Sequence, residues 1–222
     1  MCGKFTQAVN WQDAVTLRQF NDAPPGAADE TVTPFRFANV VCLDAHGRRR
    51  PVRMRWGLVP PTADQAVGGK FIHARAETIE LKPTFRNAFF ERRGLIVVST
   101  FNEGKEITPK KTEQYVVTPR GRPATAIAVI WERWLGPAPI PLLTFAMVTT
   151  PPNPLIATIT DRMPAVIDDA DWAKWLGEEP ATVDELKAIL KTSDLPMDME
   201  KAGKPAPPPR PEKPQPPQGS LF

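Results

Sequence analysis

The feature that most constrains the fold of this chain is a succession of short β-rich runs joined by turn signals. The run Phe37–Leu43 meets Asp44-Ala45-His46-Gly47 and resumes over residues 51–56, which predicts a hairpin. Residues 95–99 read as a short apolar strand, and residues 115–118 and 124–131 flank the turn Pro119-Arg120-Gly121-Arg122, predicting a second hairpin. Residues 142–149 and 163–167 complete the strands. Helical spacing is confined to residues 11–20, 80–92 with an early break at Pro83, 168–176 with an acidic first turn, and 182–190. Strands outnumber helices, so the expected fold is α+β, a mainly antiparallel, barrel-like β-sheet with peripheral helices.

Residues 201–222 contain eight prolines in 22 positions and almost nothing to bury. They are expected to form an extended, mobile tail after a domain spanning residues 1–200. The tail is read as a solubilising extension, or as a segment that docks a partner or grazes DNA. It also carries Lys201, Lys204, Arg210 and Lys213 against Glu212, the whole formal excess of +3, so the preceding 200 residues are neutral. Nucleic-acid binding therefore requires local clusters of Arg and Lys and not a global field. The N-terminus has no signal-peptide pattern and no run approaches the roughly 20 apolar residues of a membrane span, from which a cytoplasmic location is expected. Two cysteines, Cys2 and Cys42, build neither a disulfide framework nor a zinc cluster. The scattered glycines form no phosphate loop, so neither metal nor nucleotide cofactor is expected.

Cys2 is where reactivity concentrates. An initiator methionine before a small residue is readily trimmed, which leaves a 1,2-aminothiol. Its amine titrates at about 7.7–8.0 and its thiol at about 8.5, so both nucleophiles are available near neutrality. The amine can condense with an aldehyde and the thiol then closes a thiazolidine ring. Alternatively the thiol attacks a carbonyl, with the amine as base.

Five segments stand around Cys2 in a fixed order: Met1-Cys2-Gly3-Lys4-Phe5, Arg55-Trp56-Gly57-Leu58-Val59-Pro60, Ala74-Arg75-Ala76-Glu77-Thr78, the run AIAVIWE over residues 126–132, and Asp161-Arg162-Met163-Pro164. The set resembles the SOS response-associated peptidase (SRAP) family over roughly residues 2–176. That resemblance implies a domain that binds single-stranded DNA, removes its own Met1, and links Cys2 covalently to the opened sugar of an abasic site, a peptidase with possible lyase activity. The family site uses the N-terminal Cys, an Asn, a Glu and a His. Cys2 matches, and Glu103 keeps the carboxylate. His73 stands where the family has Asn, and Thr160 where it has His. The expected site is therefore Cys2, Glu103, His73 and Thr160. Glu103 shuttles protons, and a compensating exchange makes His73 the titratable group and Thr160 a hydroxyl donor.

By the same resemblance Lys4, Arg75 and Arg162 hold phosphates, with Trp56 or Phe5 near a base face. At strand spacing Trp56 reads rather as core, and Arg75 and Arg162 read equally as ion-pair partners of Glu77 or Asp161. Two other functions stand beside the covalent one: an N-terminal-nucleophile amidohydrolase or peptidase, and a module that binds single-stranded DNA or a protein partner with its chemistry abandoned.

Overall fold

The computed structural model describes residues 2–7, 30–66 and 71–203. The helix expected over residues 11–20 and the tail from residue 204 onward lie outside them. Among the described residues twelve strands share one sheet: β1 (Lys4–Gln7), β2 (Glu30–Val32), β3 (Phe37–Leu43), β4 (Arg49–Trp56), β5 (His73–Arg75), β6 (Arg93–Thr108), β7 (Lys111–Pro119), β8 (Thr125–Trp134), β9 (Leu142–Thr150), β10 (Met163–Pro164), β11 (Val166–Ile167) and β12 (Met197–Lys201). The α-helices of the described residues are α1 (Pro83–Glu91), α2 (Trp172–Leu176) and α3 (Val183–Ile189).

Strands β3, β4, β9, β8 and β6 pair in that order, and β6 pairs back to β3 through Val41 and Leu95, closing a five-membered ring. The pairings are antiparallel except those of β4 and β5 with β9. This is the expected α+β barrel.

Both faces of the ring strands are apolar, and strict alternation sorts them. Val40, Ile96, Val98, Ile127, Val129, Phe145 and Met147 pack inside with Trp56 and Phe5. Val41, Leu95, Val97, Ala126, Ala128, Ala146 and Val148 face outward beneath Phe89 of α1, Trp175 of α2 and Leu186 of α3. Such two-sided burial explains why these strands read as continuous hydrophobic runs. Closure between β3 and β6 depends on Gly94, where a Cβ would stand 2.6 Å from Val40 Cγ1 and 3.0 Å from the Val41 carbonyl. Its own carbonyl accepts the Trp175 indole N–H at 2.8 Å.

Several local expectations change. The hairpin across Pro119-Arg120-Gly121-Arg122 does not form: β7 pairs with β6 and β12, and β8 pairs with β6, β9 and β11. The strand expected at 95–99 is the start of β6, whose polar second half pairs with β7. Pro83 does not break its helix but begins it, since the first turn has no partner for the missing N–H. Thr182 caps α3 by a reciprocal capping box with Glu185. The strand expected over 163–167 splits into β10 and β11, and the helix expected over 168–176 is helical in its α form only from Trp172.

Candidate active site

Strand β1 lies antiparallel along β6 with Lys4 opposite Asn102 and Phe5 opposite Phe101. That register sets Cys2 beside Glu103, near the inner face of the ring. Cys2 is buried, and its Sγ donates to the Lys4 carbonyl at 3.4 Å. Burial pushes the thiol well above its usual range and the Glu103 carboxylate adds to this, while the Lys4 and Asn102 backbone contacts oppose it. The thiol is therefore protonated at neutral pH.

Glu103 is 0% exposed. Burial above all, with the Asp161 carboxylate pushing the same way and the Cys2 backbone N–H opposing, raises its carboxyl to about 7. A carboxyl poised near neutrality beside a chain nitrogen is the arrangement a proton shuttle requires.

His73 comes from β5, which docks parallel on β9 with His73 opposite Met147. Its Nε2 lies 2.7 Å from the Cys2 carbonyl oxygen. Burial above all, joined by the Arg162 guanidinium and opposed by the Cys2 contact, lowers the imidazole to about 4. The ring is thus neutral at pH 7, and because a carbonyl only accepts, Nε2 carries the hydrogen. His73 is a hydrogen-bond donor that holds the Cys2 carbonyl. The titratable group near neutrality is Glu103, contrary to the expectation that His73 supplies it, because the imidazole is too deeply desolvated. A neutral N–H donor is also what an Asn amide offers at that position.

Thr160 follows a short 3-10 turn, with its N–H bonded to the Ile156 carbonyl at 3.0 Å. It leads directly into Asp161. Of the two ion-pair partners expected for Arg75 and Arg162, Glu77 and Asp161, Arg162 takes Glu77. Arg162, 7% exposed, forms a two-pronged ion pair with Glu77, Nη2 to Oε2 at 2.9 Å, and also donates to the Thr149 carbonyl at 2.6 Å. Its guanidinium is therefore a structural tie between the loop after β5 and the end of β9. Arg75 is exposed and Lys4 half-buried, so both can reach an external phosphate. Trp56 and Phe5 cannot stack on a base: both are 0% exposed, with ring centroids 5.1 Å apart. The Trp56 N–H is spent on the Ile72 carbonyl at 2.9 Å, and its ring meets His73 edge-on at 6.0 Å.

Sequence reasoning missed the action of Asp161 on Glu103. The acidic residue was visible beside Arg162, but its true neighbour is 58 positions away and only the sheet brings them together. Among the described residues no group of three or more His, Cys, Asp or Glu side chains is placed to hold a metal, and no helix is long and apolar enough to cross a membrane.

A family profile described as SOS response associated peptidase (SRAP) matches residues 1–202. The abasic site processing protein YoqW of Bacillus subtilis is 34% identical over 199 residues, covering 87% of this chain and 88% of its own. YobE of the same organism, likewise named an abasic site processing protein, is 32% identical over 199 residues, covering 87% and 90%. Among solved structures, a protein from Bacteroides thetaiotaomicron superposes with a TM-score of 0.77 over 90% of this chain and 91% of that one, at 22% identity.

Proposed function

The chain belongs to the SOS response-associated peptidase family, and we propose that it processes abasic sites in single-stranded DNA by forming a thiazolidine cross-link through Cys2, after release of Met1 by its own hydrolysis. One observation carries this reading: the Cys2 backbone nitrogen faces the Glu103 carboxyl. Hydrolysis of the Met1–Cys2 bond turns that nitrogen into the α-amine. The shuttle therefore stands where the nucleophile emerges.

Glu103 accepts a proton from the ammonium, and the free amine adds to C1′ of the ring-opened sugar to give a carbinolamine. Glu103 returns the proton to the hydroxyl, water leaves, and a protonated imine remains. Sγ then adds to the iminium carbon while the thiol proton passes back to the Glu103 carboxylate, closing the ring. One water is lost overall. The His73 N–H fixes the Cys2 carbonyl throughout, so the residue bearing both nucleophiles keeps its orientation. Arg75 and Lys4 offer cations to the flanking phosphates, and Thr160 a hydroxyl at the rim.

Burial and Glu103 keep the Cys2 thiol protonated. The imine route opens with the amine and needs no thiolate. Relatives bearing the name abasic site processing protein support the substrate class.

Intact mass spectrometry before and after incubation with an abasic single-stranded oligonucleotide tests the proposal. The expected result is a chain lacking Met1 that gains the oligonucleotide mass less one water, and a Cys2→Ala chain that gains nothing. A persistent Met1 with no adduct refutes it.

A further inference from the structure

The turn Thr33-Pro34-Phe35-Arg36 leads into β3, and Phe35 holds a backbone φ of 70° within it. The Arg36 N–H closes the turn on the Thr33 carbonyl at 3.1 Å, which makes it type II with proline second and phenylalanine third. That third position normally requires Gly or Asn. Phe35 is the one non-glycine residue with positive φ among the described residues. A bulky side chain resists this conformation, and strain of this kind persists where the surroundings enforce it.

Nor does core burial offset the strain, because Phe35 is 46% exposed. The surroundings do enforce it. The Phe35 N–H donates to the Trp56 carbonyl at 2.8 Å, and the Trp56 N–H to the Arg36 carbonyl at 2.9 Å. The Phe35 ring lies over Gly57, where a Cβ would meet its Cε1 at 3.2 Å, and Ile72 borders the same spot. Gly57 thus provides the seat for the ring. The residue before it, Trp56, touches His73, and His73 holds Cys2. Beside the ring, Arg36 is exposed and has no ion-pair partner among the described residues, and Phe37 is 42% exposed.

We infer that Phe35 is a stacking platform for an intact base of the DNA strand next to the abasic sugar, with Arg36 on the adjoining phosphate. The inference rests on the reading of Cys2 given above. An abasic sugar has no base to recognise, so recognition must fall on its neighbours, and an aromatic face accepts any of them. The role that sequence assigned to Trp56 or Phe5 passes to a ring seated on Gly57, the residue after Trp56, that solvent can reach.

The test uses the full chain and two readouts. Non-covalent affinity for an intact single-stranded oligonucleotide is measured by fluorescence anisotropy in a Cys2→Ala background, and cross-linking of an abasic oligonucleotide is followed against DNA concentration. Phe35→Gly removes the ring and relieves the turn. It is expected to weaken binding about ten-fold and to raise the half-saturating DNA concentration equally. The rate at saturation is expected to stay unchanged and the thermal midpoint to stay within about 3 °C. Phe35→Trp is expected to restore binding. Affinity of Phe35→Gly within about two-fold of the parent overturns the inference, as does a loss confined to the saturated rate. If the parent binds intact strands yet never cross-links, the covalent reading fails while the Phe35 comparison still decides its own question. If the parent binds no DNA, both fall.

Discussion

Glu103 and His73 are shifted in opposite directions by the same burial, and their pH signatures in folding stability should cancel until one is removed. Glu103 titrates at about 7 in the fold against 4.5 for a free carboxyl. The folded chain binds its proton more tightly than the unfolded one, so the contribution is fully present below 4.5 and lost as pH rises through 7. His73 titrates at about 4 against 6.5. The folded chain binds that proton less tightly, so its contribution rises over the same interval. Each shift corresponds to about 3 kcal/mol across its window. In the parent the two slopes oppose each other between roughly pH 4.5 and 6.5. Glu103→Gln removes the falling arm, so stability relative to the parent should climb by about 3 kcal/mol from pH 4.5 to 7. His73→Asn removes the rising arm while keeping an N–H donor, and its stability relative to the parent should fall by a similar amount as pH rises from 4 to 6.5. Urea midpoints at half-unit pH steps, taken as variant minus parent, isolate each arm from background carboxylates. Parallel profiles for parent and variants would refute the claim that burial dominates both groups.

Other substitutions separate structural cations from those free to meet DNA. Arg162→Ala strips Glu77 and the Thr149 carbonyl of their donor and should cost about 2–3 kcal/mol by denaturant unfolding. Arg75→Ala should leave stability nearly unchanged but reduce the slope of log affinity against log salt for single-stranded DNA by about one. Gly94→Ala forces a Cβ against Val40 and the Val41 carbonyl where the ring closes, and should lower stability by about 1–3 kcal/mol. Cross-linking by Glu103→Gln at saturating abasic DNA should slow about 100-fold, as loss of a general acid-base does, whereas His73→Asn should retain most of the parent rate.

What the sequence made legible follows from distance along the chain. The β3–β4 hairpin was readable because its turn and both apolar runs are contiguous. Helix α3 was readable because Thr182 and Glu185 carry their own capping signal. The false hairpin between residues 115–118 and 124–131 arose because a good local turn says nothing about competing partners: β8 pairs with β6, some 30 positions earlier, over six residues. The site divides likewise. Cys2, Glu103 and the exchanged residues at 73 and 160 were visible as motif positions. The state of His73 was not, because desolvation belongs to the packed interior and is invisible in a strand of three residues. Phe35 was unreadable for the opposite reason: its type argues against the conformation that exposes it.

The pairing of β1 with β6 also has a meaning in time. Cys2 is synthesised about a hundred residues before Glu103, and β5 reaches its seat only once β9 exists to receive it. Contacts of such long range form slowly, because chain entropy opposes them until much of the fold is present. Until then the nascent chain carries an ordinary cysteine with no neighbouring acid and no donor on its carbonyl. On the chemistry proposed above, competence at Cys2 therefore arrives with the completed barrel and not with the residue itself.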